Sequence, residues 1–132
     1  MISLPEGNTV WFDVDDTLVK WSPTQEEMDK HGIEIDCPGS FVMIDDELVR
    51  SANYVQKLVP HRAHIEQLKR HALRGHQIIV WSQGGALWCH VVCVALGLER
   101  YVTLCIGKPM WIYDDKDPSE FMPKSQYFVD IQ

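Results

Sequence analysis

The chain has no long apolar run: its longest, from Gly84 to Leu98, is interrupted by His90 and is too short to cross a bilayer. It also lacks a basic start followed by an apolar core, opening instead Met1-Ile2-Ser3-Leu4-Pro5-Glu6-Gly7. No signal peptide is therefore expected, and the reading is a cytoplasmic protein with no membrane partner. The four cysteines, Cys37, Cys89, Cys93 and Cys105, form no zinc-like pairs, and Cys89 and Cys93 lie one helical turn apart inside an apolar segment. They read as reduced core residues. Positive charge is scarce, with 12 Lys and Arg against 19 Asp and Glu and a formal net charge of -7. Only His61-Arg62 with Lys69-Arg70 and Arg74 approaches a basic stripe, and it fits the solvated face of a helix. Nucleic acid is disfavoured as a partner and left open. Internal repeats, low-complexity tracts and flexible linkers are absent.

What is present is ordinary globular usage, 45% hydrophobic and 23% charged over 132 residues. That length predicts one domain, 1–132, with a single core. Thr9 to Phe12 is a β-branched and aromatic run, read as a fully buried strand. Ser22-Pro23-Thr24-Gln25 has a capping-box pattern with Pro at the first helical position, opening a short helix to about Lys30 that Gly32 ends. Ile33-Glu34-Ile35-Asp36 and Phe41-Val42-Met43-Ile44 flank the turn residues Cys37-Pro38-Gly39-Ser40, which predicts that these two runs pair as a β-hairpin. From Pro60 to Arg74, Ile65, Leu68, Ala72 and Leu73 recur at helical spacing, with Gly75 as the stop. Gln77 to Trp81 reads as a second buried strand. A helix from Gly84-Gly85 through Leu96 is apolar nearly all round, so it is either sandwiched or used in self-association, and a homo-oligomer stays open. Tyr101 to Ile106 and Trp111 to Tyr113 are two more short strands, and Gln126 to Val129 adds an edge strand.

Alternating strands and helices predict an α/β fold with a mostly parallel central sheet, where ligands collect at the carboxyl ends of strands. Asp13, Ser82, Gly107-Lys108 and Asp114-Asp115 each fall just past a separate strand, so four polar clusters converge on one rim. The first is the densest: Asp13-Val14-Asp15-Asp16-Thr17 places two carboxylates on one side of an extended chain, with no Lys or Arg nearby until Lys20. An Asp cluster after a strand can simply cap a loop or a helix. Convergence with the other three favours chemistry, with a divalent cation and a phosphoryl group as counterparts. Asp13 suits a nucleophile, because a carboxylate can form an aspartyl-phosphate. Asp15 can protonate the leaving alkoxide and then activate water. Asp114 and Asp115 supply hard oxygen ligands for Mg²⁺. Ser82 and its neighbour Gln83, before a glycine-opened helix, can hold phosphoryl oxygens, although Ser82 also fits a plain N-cap. Lys108, between Gly107 and Pro109, would neutralise developing charge.

This pattern resembles the haloacid dehalogenase superfamily of aspartate-nucleophile phosphohydrolases. The resemblance runs through four motifs in order: Asp13-Val14-Asp15-Asp16-Thr17-Leu18, Ser82, Lys108, and Asp114-Asp115. The first is specific and the others are weak singly. It implies a three-layer Rossmann-like fold, a phosphatase dependent on Mg²⁺, Asp13 as nucleophile, Asp15 as acid/base, Ser82 and Lys108 on the phosphoryl group, and Asp114 as principal metal ligand. It also implies a metal contact from the backbone carbonyl at Asp15, so the expected metal set is Asp13, Asp15, Asp114 and Asp115. The family often has Gly where Asp16 stands. Only about residues 20–53 are available for a cap, enough for a helix and hairpin flap, so the resemblance is to a capless or minimally capped member. Such members act on exposed phosphates of large substrates or use a neighbouring subunit to close the site. The phosphorylated substrate is otherwise open; Trp21 and hairpin residues near Phe41 are the expected contacts.

Two rivals belong to other classes. A receiver-like phosphoacceptor signalling domain shares the size, the acidic pair and a Lys-Pro, but residues 53–76 contain no Asp to accept the phosphoryl group. A non-catalytic interaction protein on the same fold would explain the apolar helix but leaves the catalytic set unused.

Overall fold

A computed structural model describes residues 8–39, 41–117 and 120 of the chain. The fold is α/β, with one three-stranded parallel sheet and two antiparallel sheets. The parallel sheet is built from β1 (Thr9–Asp13), β7 (Gln77–Ser82) and β8 (Leu104–Gly107), with β7 in the middle. Ile78, Ile79 and Val80 of β7 are buried, as a central parallel strand requires. β1 was expected to be buried throughout, but it flanks the sheet. Trp11 accordingly stays about half exposed and packs edge-on against Trp81, ring centroids 4.8 Å apart.

The second sheet has the order β2 (Val19–Lys20), β6 (Tyr54–Pro60), β3 (Ile33–Cys37) and is antiparallel. This corrects the expected pairing of Ile33–Asp36 with Phe41–Ile44. β3 pairs instead with β6, a strand that local pattern did not pick out, from Ile33↔Leu58 to Cys37↔Tyr54. β4 (Phe41–Ile44) pairs with β5 (Glu47–Arg50) across the two-residue turn Asp45-Asp46. Both turn residues have positive φ, 50° and 62°, the geometry that matches the twist of a tight hairpin. Gly39 sits at the base of this hairpin, where a Cβ would lie 1.7 Å from the Ser51 carbonyl oxygen. Its N–H donates to Asn53 Oδ1 at 2.9 Å. All eight strand residues of β4 and β5 are exposed.

Among the described residues there are three α-helices. α1 (Gln25–His31) begins at Thr24, not Ser22: Thr24 Oγ1 accepts from Glu27 N while Glu27 Oε1 accepts from Thr24 N, a reciprocal capping box. Pro23 therefore precedes the cap. α2 (Arg62–Leu73) starts later than Pro60 because that proline ends β6 opposite Val19. Ile65 and Leu68 are buried as expected, but Leu73 is 79% exposed, while His64 is fully buried. α3 (Ala86–Ala95) buries Cys89, Val92 and Cys93 and leaves Leu87 and Val94 exposed. α3 packs against β3, β7 and β8, and α2 packs against β7. The core cluster draws on both the parallel and the β2-β6-β3 sheets, through Phe12, Ile78 and Val80 on one side and Val19, Ile35 and Leu58 on the other. All four cysteines are free thiols.

Beyond β8 the expectation changes. Trp111 to Tyr113 forms no strand; Trp111 and Tyr113 are 76% and 94% exposed. A strand needs a ladder, and among the described residues none joins this segment to β8. The edge strand expected at Gln126 to Val129 lies outside the described residues. Among the described residues no helix is long and apolar enough to cross a membrane.

Candidate active site

Parallel register aligns the strand ends. Asp13 lies opposite Trp81 and Ser82 opposite Gly107, so the residues following β1, β7 and β8 emerge together. The turn after β1 is tight: the Val14 carbonyl accepts from Thr17, Leu18 and Val19 N–H groups at 2.9 to 3.2 Å. Val14 and Leu18 are fully buried and anchor it. Asp16 adopts φ 59°, donates its N–H to Val19 O at 2.8 Å and accepts from Trp21 N at 3.0 Å through Oδ1. Its role is thereby explained: the position requires a left-handed backbone, which Asp tolerates better than most residues, and its short side chain holds the next turn. His64 ties α2 to the same loop, its Nδ1–H donating to the Thr17 carbonyl. Sequence reasoning missed His64, whose only local signal was a position on the buried face of α2.

Asp13 and Lys108 form an ion pair, Oδ1 to Nζ 3.0 Å, with side chains 29% and 32% exposed. Thr17 Oγ1 donates to the other Asp13 oxygen at 3.2 Å. Lys108 Nζ also lies 5.6 Å from the centroid of Trp81, within reach of a cation–π attraction. The Lys108 N–H donates to the Ser82 carbonyl at 2.9 Å, and Gly85 N–H donates to the same oxygen at 3.1 Å. Ser82 is fully buried and joins the two strand ends. Its Oγ accepts from Gly84 N at 3.0 Å and donates to Asp15 Oδ2 at 2.7 Å. Its hydroxyl is thus turned to the second carboxylate. Gln83 is exposed beside it. The N-cap of α3 is Gly85, with φ 98° and no side-chain cap, so the first-turn N–H groups of α3 are not taken up by a capping side chain.

Asp15 has two further donors, on Oδ1: Trp21 Nε1 at 2.7 Å and Trp88 Nε1 at 3.0 Å. Trp21 was expected to meet substrate; the residue is 43% exposed and its indole N–H is directed at Asp15. Trp88 packs against the core while its polar edge reaches Asp15. Asp114 and Asp115 are exposed, and Asp114 Oδ1 accepts from Lys116 N at 2.9 Å. Among the described residues no group of three or more His, Cys, Asp or Glu is arranged to hold a metal ion. Asp13, Asp15, Ser82 and Lys108 are therefore brought together, and the fourth expected cluster is not placed after a strand.

Cys89 lies beneath this site, its thiol pushed up to about 12 by burial, with Cys105, Asp15 and Asp13 adding negative charge nearby. A thiol so held is not a rival nucleophile. No protein-family model, curated protein or solved structure matches the chain.

Proposed function

We propose that the chain is a Mg²⁺-dependent phosphatase of the haloacid dehalogenase type, on a Rossmann-like α/β fold, hydrolysing a phosphate monoester through an aspartyl-phosphate. One observation carries the reading. Three strand ends supply a carboxylate with a lysine on it, Asp13 and Lys108 at 3.0 Å, and a second carboxylate on a serine hydroxyl, Asp15 and Ser82 at 2.7 Å. A structural ion pair would need the first contact alone.

Asp13 attacks phosphorus as the bond to the leaving oxygen breaks, and a proton passes from Asp15 to that oxygen. Asp15, now ionised, takes a proton from water, whose oxygen attacks the aspartyl-phosphate. The bond to Asp13 breaks, inorganic phosphate leaves, and Asp15 is protonated again. Lys108 turns from Asp13 to the phosphoryl oxygens, and the uncapped first turn of α3 offers further N–H donors.

The donors fit magnesium. Asp13 is partly exposed and Asp15 lies near it, and Mg²⁺ needs only one or two carboxylates besides water and phosphate. Asp13 would hold it through its carboxylate and Asp15 through its backbone carbonyl, with Asp114 or Asp115 as further oxygen donors. When bound, the ion would supply positive charge to offset that of the phosphoryl oxygens. The substrate would be a phosphorylated molecule presenting its phosphate freely.

The test is aryl phosphate hydrolysis with and without Mg²⁺, for the native chain and Asp13→Asn. Turnover that requires Mg²⁺ and vanishes in Asp13→Asn is expected. A phosphoryl group that stays on the protein for hours would point to the receiver class. A non-catalytic interaction protein is favoured by one feature, the exposed Phe41, Met43 and Leu48 of the hairpin; absence of hydrolysis across sugar, nucleotide and peptide phosphates would select it.

A further inference from the structure

Asp15 Oδ1 receives two indole N–H groups, one from the loop after β2 and one from the first turns of α3. An indole can donate but not accept, so neither tryptophan can serve this oxygen as a proton relay. The surrounding chain is built to admit both rings. At Gly84 a Cβ would come within 2.9 Å of Trp88 Cδ1 and 3.3 Å of Ser82 Oγ, so a side chain there would displace the ring or the hydroxyl. Trp21 is docked from the other direction by Asp16, which accepts its backbone N–H. The two ring centroids lie 6.0 Å apart, with the ring planes tilted by 43°. A phenylalanine would fill either volume, so the N–H is the feature that packing alone does not require.

We infer that Trp21 and Trp88 are positioning residues for Asp15: their two N–H groups occupy Oδ1 and fix the plane of the carboxyl, so that Oδ2, which meets the Ser82 hydroxyl at 2.7 Å, is the oxygen that exchanges the proton. This inference rests on the reading of Asp15 as acid/base. In the first step the proton leaves Oδ2 for the departing alkoxide while the phosphorus–oxygen bond breaks. In the second, Oδ2 takes a proton from the attacking water. A carboxyl free to rotate would present its proton at the leaving oxygen only part of the time, and that loss is felt most by esters whose leaving group needs a proton.

The experiment compares Trp88→Phe and Trp21→Phe with the native chain on an aryl phosphate with a good leaving group and on an alkyl phosphate, following the phosphorylation step in single turnover. The aryl ester is expected to react within about threefold of native. The alkyl ester is expected to slow by about 10- to 100-fold, part of the roughly 10²- to 10⁴-fold worth of a positioned acid, with KM unchanged. Equal slowing of both esters, or of neither, overturns the inference. Independently of turnover, the same variants assign the indole N–H signals of Trp21 and Trp88 in nitrogen-edited NMR spectra. Asp15→Ala should then shift both signals upfield; if neither moves, the inference fails whatever the kinetics. A native chain inert to all esters, with both indoles responding to Asp15→Ala, would sink the phosphatase reading and the proton-transfer role with it.

Discussion

Lys108→Met separates a site from a structural ion pair, because the two predict opposite proportions of lost stability and lost activity. At 3.0 Å between Lys108 Nζ and Asp13 Oδ1, an effective dielectric of about 20 gives a gross attraction of roughly 5 kcal/mol. Both side chains are about a third exposed, so hydration and salt offset most of it, leaving about 0.2–1 kcal/mol, the usual worth of an exposed pair. Lys108 also gains a little from the Trp81 ring, about 0.5–1 kcal/mol at an exposed site. The methionine keeps most of the stem packing and removes only the charge. In the proposed reaction the same ammonium would meet a developing phosphoryl charge from a preset position, where one lost donor typically lowers kcat by about 10²–10³. The expected outcome is therefore a loss of under about 2 kcal/mol in urea unfolding together with at least a hundredfold fall in kcat. Native-like turnover in Lys108→Met would refute the reasoning, and so would a stability loss of several kcal/mol.

Two further outcomes follow from the flap. Lys20 Nζ, 2.7 Å from Glu27 Oε2, holds that carboxyl down at about 2 against its ordinary 4.5, helped by the Thr24 N–H. Because the folded value is depressed, the contribution is complete above about 4.5 and is lost as pH falls toward 2. Carbon-detected NMR titration of Glu27 should show this, with Lys20→Met moving it upward; an ordinary titration in the native chain would refute it. Gly39→Ala places a methyl against the Ser51 carbonyl, an overpacking cost of about 1–3 kcal/mol. Hydrogen exchange should quicken at residues 41–50 while β1 and β7 amides keep their protection. Uniform quickening would mean that the hairpin folds together with the core.

Local pattern was enough for β1, β7 and the two longer helices, because each carries its own period or a continuous apolar run flanked by a turn residue. It was not enough for β6. Tyr54 to Pro60 mixes Gln56 and Lys57 into an apolar run, and its identity as a strand depends on partners at Ile33–Cys37 and Val19–Lys20. The same distant pairing removed the hairpin expected around Pro38-Gly39. The turn Asp45-Asp46 won instead, because two consecutive left-handed residues close β4 onto β5 directly. Trp111 to Tyr113 shows the converse error. Its aromatic and branched composition suits a strand, yet composition supplies no partner edge, and the segment remains exposed.

The candidate site divides along the same line. Asp13, Ser82 and Lys108 were legible together because parallel register turns three positions remote in the chain into neighbours once each is known to end a strand. Asp15 was legible as a second carboxylate but not as an acceptor of three donors, since Trp88 reaches it only after α3 has packed beneath β8. The proposed chemistry at Asp15 therefore depends on a tertiary contact that no motif records. The physical consequence is a coupling between fold and carboxyl geometry: Gly84 governs how closely Trp88 can approach, Asp16 governs where Trp21 starts, and neither belongs to the proposed catalytic set. A side chain at Gly84 should thus disturb Asp15 through Trp88 and Ser82 while leaving the Asp13–Lys108 pair in place, a separation that residue order alone could not have suggested.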